Sequence, residues 1–192
     1  MLKFDDEKCP VLSDAALPGI VGDFVSLATR KSEADPAAVL ATFLVRFGVE
    51  IGPKPYLMIG DSKHFARLFA VILGASSKAR KGTSSKPVGR LFSCIPNKSV
   101  NSLISYDTTK SLYVPAKTSP GPLSSGEGLL YQVSDEYEGK DSQNRLFIID
   151  EELAAALKSM ERHGNILSTI IRKLWDDGEI EPLTKRDRIK VT

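Results

Sequence analysis

The sequence predicts an α/β fold, with helices alternating with the short apolar strands of a parallel sheet, behind an N-terminal helical segment. Three observations lead there. Residues 18–49 carry two apolar stripes at helical spacing. An apolar run, Phe65–Leu73, enters a loop of small and cationic residues. A second run, Leu146–Ile149, ends in the carboxylates Asp150, Glu151 and Glu152. Strand-length apolar runs separated by helix-length amphipathic ones are the pattern of helices packed on a sheet.

The elements follow in order. Between Pro18 and Thr29, Ile20, Phe24 and Leu27 mark one helical face, widened by Val21, Val25 and Ala28. Pro36 stands where a first-turn proline belongs, with Asp35 before it as N-cap. From Ala37 to Val49 the only charge is Arg46, so this helix is expected to be well buried, and Gly52-Pro53 ends it. Tyr56–Ile59 and Phe65–Leu73 read as strands of a hairpin around Gly60-Asp61-Ser62-Lys63. Residues 93–128 read as loops with one short strand, Ser111–Val114. A short helix at Gly126–Val133, an acidic turn from Asp135 to Asp141 and a strand at Arg145–Ile149 come next. Helices at Glu151–Glu161 and Ile166–Trp175 complete the pattern. On this reading residues 1–53 form the helical segment and 54–192 the sheet-bearing core.

Composition excludes several classes. A chain of 192 residues with 42% hydrophobic and 26% charged residues can bury a core, so it is not a disordered tail. Cys9 and Cys94 are too few for a disulfide framework, which points to a reducing, cytoplasmic setting. No apolar run approaches the roughly 18 residues a membrane helix needs, and the N-terminus is charged where a signal peptide is apolar. The net charge of +2 hides a segregation: residues 54–118 hold 11 basic and 2 acidic residues, while both flanks are acidic. A basic middle suits either an anion site or a nucleic-acid-facing surface, and solvated loops account for it equally well.

The order strand, small cationic loop, Thr/Ser cluster, helix is what phosphate binding needs. Small residues let backbone N–H groups reach phosphate oxygens, and a helix N-terminus adds partial positive charge. The spacing departs from G-x-x-x-x-G-K-[ST]: counted from Gly74, Ala79 stands at the second glycine, Arg80 at the lysine and Lys81 at the hydroxyl. With Lys81 as the phosphate lysine, the loop is one residue longer and Gly82 separates it from Thr83. Downstream, a buried strand that delivers Asp150 at its carboxyl end suits holding Mg²⁺ through water. An ordinary acidic helix start explains the same residues.

The segments Gly74-Ala-Ser-Ser-Lys-Ala-Arg-Lys-Gly-Thr-Ser84, Leu123-Ser-Ser-Gly-Glu-Gly-Leu129, Ile148-Ile-Asp-Glu-Glu-Leu-Ala154, Gly164-Asn-Ile-Leu-Ser168 and Ile171-Arg-Lys-Leu-Trp-Asp-Asp-Gly178 resemble a largely uncharacterised family. It is the RecA-like P-loop, helicase-like ATPase domain of phage, plasmid and integrated-element replication proteins, often associated with primase-polymerases. The resemblance implies a three-layer P-loop fold and ATP binding with Mg²⁺ as cofactor. Gly74, Ser76, Ser77, Arg80, Lys81, Gly82, Thr83 and Ser84 would line the nucleotide. Thr83 and Asp150 would face the metal, and Glu151 or Glu152 would activate water. It also implies DNA as a partner through a larger replication complex, and a homo-oligomer. The basic ending Lys185-Arg-Asp-Arg-Ile-Lys-Val-Thr192 reads as the start of a further strand, so a C-terminally truncated domain is expected. The alternative is a non-catalytic nucleic-acid-binding or scaffold module, or a remnant of such an ATPase. Glu127 reads either as a site residue or as part of a glycine-bounded turn, His64 as a strand-edge residue, His163 as solvated, and Trp175 as core in preference to a base-stacking platform.

Overall fold

The computed structural model describes residues 11–74, 81–95, 116–134, 144–176, 178 and 180. They form six α-helices and two two-stranded sheets, an α/β arrangement. The chain divides into two compact units, Met1–Leu44 with Ala70–Leu91, and Val45–Phe69 with Phe92–Thr192.

The first unit holds α1 (Gly19–Thr29), the front of α2 (Pro36–Ile51) and most of α3 (Lys81–Ser93). A short 3-10 turn, Asp14–Ala16, precedes them, capped by the Ser13 hydroxyl, which accepts the Ala15 N–H. The start of α2 follows the expected chemistry: the Asp35 carboxylate accepts the Ala38 N–H at 2.9 Å, and Pro36 takes the first helical position. Val25, Ala38, Val39 and Phe43 are buried, with the Phe24 and Phe43 rings 5.4 Å apart.

The second unit contains both sheets. The expected hairpin forms, but with a tighter turn: β1 (Tyr56–Ile59) pairs antiparallel with β2 (Ser62–Phe65), leaving only Gly60-Asp61 between them. Gly60 takes φ +59°, the left-handed conformation that two-residue hairpin turns favour. The strand expected over Phe65–Leu73 therefore ends where it was to begin. Residues 66–74 lie in neither helix nor strand, with Leu68, Phe69, Val71 and Leu73 exposed. An apolar run becomes a buried strand only where a ladder partner and a covered face exist. The strand expected at Ser111–Val114 and the acidic turn at 135–141 lie outside the described residues.

The second sheet is parallel. Its strands are β3 (Lys117–Ser119) and β4 (Leu146–Ile148), in register Lys117↔Leu146 and Ser119↔Ile148, with α4 (Gly126–Val133) between them in the chain. This is a β–α–β unit. Leu129, Leu130 and Val133 of α4 bury against Leu167 and Ile170 of α6 (Leu167–Asp176), joined by Ile180. In α6 the positions 167, 170, 171 and 174 give the i, i+3, i+4, i+7 apolar stripe that this packing requires. Helix α5 (Leu153–Met160) precedes it. Asn165 links the pieces: its Oδ1 accepts the Leu167 N–H, and its Nδ2 donates to the Ser124 and Ser159 carbonyls at 2.9 and 2.7 Å.

The charged residue expected in α2 is buried, and with it Glu50, one turn later. Arg46 and Glu50 form an ion pair, and Arg145 Nη1 donates to the Glu50 carbonyl at 2.5 Å. Glu50 Oε2 accepts the Ala116 N–H at 3.0 Å, while Arg46 donates to the Ala116 carbonyl at 3.2 Å. The end of α2 is thereby fixed to the start of the parallel sheet. One expectation is reversed: Trp175 is 48% exposed and does not belong to the core.

Candidate phosphate-binding site

Gly74 closes the described part of the segment after β2 and is exposed. Ser76, Ser77 and Arg80 lie outside the described residues. The chain is described again from Lys81, which opens α3, with Gly82, Thr83 and Ser84 completing its first turn. In the first turn of a helix the N–H groups have no carbonyl of the same helix one turn earlier to bond. The aligned peptide dipoles put partial positive charge at the same place. The Ser85 hydroxyl turns back to donate to the Gly82 carbonyl at 3.1 Å. Ser84 is wholly buried, and its Oγ has no hydrogen-bond partner among the described residues. Pro87 follows inside the helix and has no N–H to offer the Thr83 carbonyl.

Asp150 stands just past the carboxyl end of β4, where the sequence puts it. Its two oxygens are both engaged with backbone. Oδ2 accepts the Leu123 N–H and Oδ1 the Glu152 N–H, each at 2.9 Å. The carboxylate thus staples the loop after β3 to the turn before α5. Gly121, at φ +77°, lies so close that an added Cβ would come within 3.3 Å of the Ile149 carbonyl and 3.5 Å of Asp150. Glu151 and Glu152 are exposed.

At the same edge, the Ser125 side chain caps α4 by accepting the Gly128 N–H at 3.0 Å, and Glu127 is exposed in the first turn. The neighbouring cleft, lined by Ser119, Gly121, Leu123, Ser124, Gln132 and Ile148, has a volume of about 110 Å³. Ligand pockets run to about 300–1,000 Å³, so this one is too small for a nucleoside triphosphate.

Mg²⁺ takes hard oxygen ligands and keeps several waters. Thr83 and Asp150 are of the right chemistry, and both Asp150 oxygens already accept N–H groups. Among the described residues no three His, Cys, Asp or Glu side chains gather around one point.

Sequence reasoning anticipated a helix here, opened by the Thr83–Ser84 cluster where α3 already includes Lys81 and Gly82, and the acid after β4. It missed Asn165 as a junction, Ser125 as a cap and the Arg46–Glu50 pair. For Ser125 a local signal existed, since a serine ahead of a short apolar helix is a cap pattern. The described residues include no helix long and apolar enough to cross a membrane. Comparison of the chain with protein-family models, curated proteins and solved structures finds no match.

Proposed function

We propose that the chain binds a nucleoside triphosphate, ATP by the resemblance of its segments, as the nucleotide-binding part of a helicase-like replication protein of a mobile element, and that it turns the nucleotide over slowly. The observation that carries the reading is the placement of Lys81, Gly82, Thr83 and Ser84 in the first turn of a 13-residue helix, after a stretch of sequence from Gly74 rich in small and cationic residues. First-turn N–H groups of a helix receive phosphate oxygens, and a lysine in that turn brings a full positive charge to the dipole. The buried Ser84 hydroxyl supports the reading further, because an unpaired buried hydroxyl costs about 1–3 kcal/mol until a partner arrives.

Hydrolysis asks for a carboxylate turned toward the metal or the attacking water. The engagement of Asp150 by two backbone N–H groups favours binding over turnover. Mg²⁺ belongs to this reading as the companion of the triphosphate, where it neutralises phosphate charge.

The test is equilibrium binding of a fluorescent ATP analogue to the purified chain, with and without Mg²⁺. Lys81→Ala is expected to weaken binding by about tenfold or more, the loss of one charged phosphate contact. Equal binding by the parent chain and Lys81→Ala removes the loop from the site.

A further inference from the structure

The hairpin and the end of α6 expose a row of side chains that the proposed function does not use. In β1–β2, Tyr56 faces Phe65 and Met58 faces Lys63 across the strands, so these four share one face of the sheet. The Tyr56 and Phe65 rings lie 6.0 Å apart at 64°. The Lys63 ammonium is 4.9 Å from the Tyr56 ring centre, and the Arg67 guanidinium 5.4 Å from that of Phe65. Arg67 also donates to the Trp175 and Asp176 carbonyls at 3.1 and 3.3 Å, which brings the end of α6 to the row. There Trp175 meets Phe69 edge-on at 5.4 Å. Tyr56, Phe69 and Trp175 are each about half exposed, at 50, 47 and 48%.

Lone exposed apolar side chains need no explanation, but a contiguous exposed patch marks a binding surface. The chemistry of this one selects its occupant. Cations flank the paired rings at 5–6 Å, Lys63 beside Tyr56 and Arg67 beside Phe65. Residues 54–69 carry Lys54, Lys63 and Arg67 against the single carboxylate Asp61, which sits in the turn. An apolar protein partner would be better served by the opposite face, which carries Leu57 and Ile59 and no fixed charge. Half-exposed rings flanked by cations match a polyanion whose own rings are unstacked.

We propose that the strip Lys63, Tyr56, Phe65, Arg67, Phe69 and Trp175 binds single-stranded nucleic acid, its bases stacking on the exposed rings and its phosphates meeting the cations. Phe65 and Arg67 are half-buried and position the row; Tyr56 and Trp175 offer the stacking faces, and Lys63 the phosphate contact. This inference stands apart from nucleotide binding at α3, since it uses none of the same residues.

Fluorescence anisotropy of labelled oligothymidylate and oligouridylate with the whole chain, in the absence of nucleotide, tests it. Trp175 is the only tryptophan, so its emission reports stacking directly and is expected to be quenched. Affinity should fall with salt by a log–log slope of about 0.7 per phosphate contact, and Lys63→Ala should lower that slope by about the same amount. Tyr56→Ala should weaken binding about tenfold and Tyr56→Phe, which keeps the ring, hardly at all. Leu57→Ala, on the other face, should bind like the parent. Whichever oligomer binds more tightly names the natural strand. The proposal is overturned if neither oligomer binds, if duplex of equal length binds as well as single strand, or if Leu57→Ala loses as much as Tyr56→Ala. It is likewise overturned if Tyr56→Ala alters self-association while leaving oligonucleotide affinity unchanged. Circular dichroism of each variant separates loss of the surface from loss of the fold.

Discussion

The guanidinium of Arg46 lies 4.9 Å from the centre of the Phe147 ring, and its Nη1 donates to the Thr118 hydroxyl at 2.6 Å. A second ring, Phe92, stands 5.5 Å from the same guanidinium. One cation of α2 is thus held between aromatic residues and tied to both strands of the parallel sheet, with Glu50 balancing its charge. Breaking a buried pair of this kind leaves an uncompensated charge and costs about 3–5 kcal/mol. Arg46→Met and Glu50→Gln should each destabilise the chain by that order in urea denaturation. The double variant should lose less than the sum of the two, because Arg46 and Glu50 leave together, although Arg145, 3.8 Å from Glu50, then loses that carboxylate.

Asp150 is expected to matter more for stability than for nucleotide affinity. Asp150→Ala leaves the N–H groups of Leu123 and Glu152 without their acceptor, a loss of about 2 kcal/mol or more in chemical denaturation. Asp150→Asn keeps one accepting oxygen and should lose about half as much. ATP affinity that collapses in Asp150→Asn while stability holds would place this residue at the phosphates instead.

Two glycines of similar appearance should respond in opposite directions. A Cβ on Gly126 would stand 2.6 Å from Ile166 Cγ1 and 2.9 Å from the Leu167 nitrogen, so Gly126→Ala forces α4 away from the start of α6. The expected cost is about 1–3 kcal/mol. Gly89, within α3, has open space around the same position, and Gly89→Ala should stabilise by about 0.4–1 kcal/mol through helix propensity alone. Thermal melts of the two variants should therefore move to either side of the parent.

Ser84→Ala removes a buried hydroxyl that has no partner among the described residues. Without nucleotide the variant should be as stable as the parent or more so, since no desolvated oxygen remains. With ATP present it should gain less in melting temperature than the parent does. Equal gains in both would mean that the hydroxyl never meets the ligand.

What could be read from the sequence was what is decided locally. Asp35 and Pro36 announce the start of α2 because capping involves only residues three apart, and the apolar periodicity of α6 sets its buried stripe. The helix at Gly126–Val133 and the strand before Asp150 were legible for the same reason. Strand β3 was not. Lys-Thr-Ser has no apolar pattern, and those residues form a strand only because β4 supplies the ladder. The run after Phe65 failed the other way: its apolar content suggests burial, yet burial depends on a partner surface. Around Asp150 the acid itself was legible, but not its role. The Leu123 N–H that engages it lies 27 residues away in the chain, a contact that no spacing rule anticipates.

The β3–α4–β4 order has a consequence during synthesis. Ser119 leaves the ribosome 27 residues ahead of Leu146, the first residue of the partner strand. At about 5–20 residues per second that is a delay of roughly one to five seconds. Throughout it, the backbone groups of β3 have only water or a neighbouring nascent chain to bond. A long apolar strand left waiting would recruit its neighbours. Three residues, a lysine and two hydroxyls, give a passing chain little to hold, so the polarity that hides β3 from inspection is also what lets it wait safely.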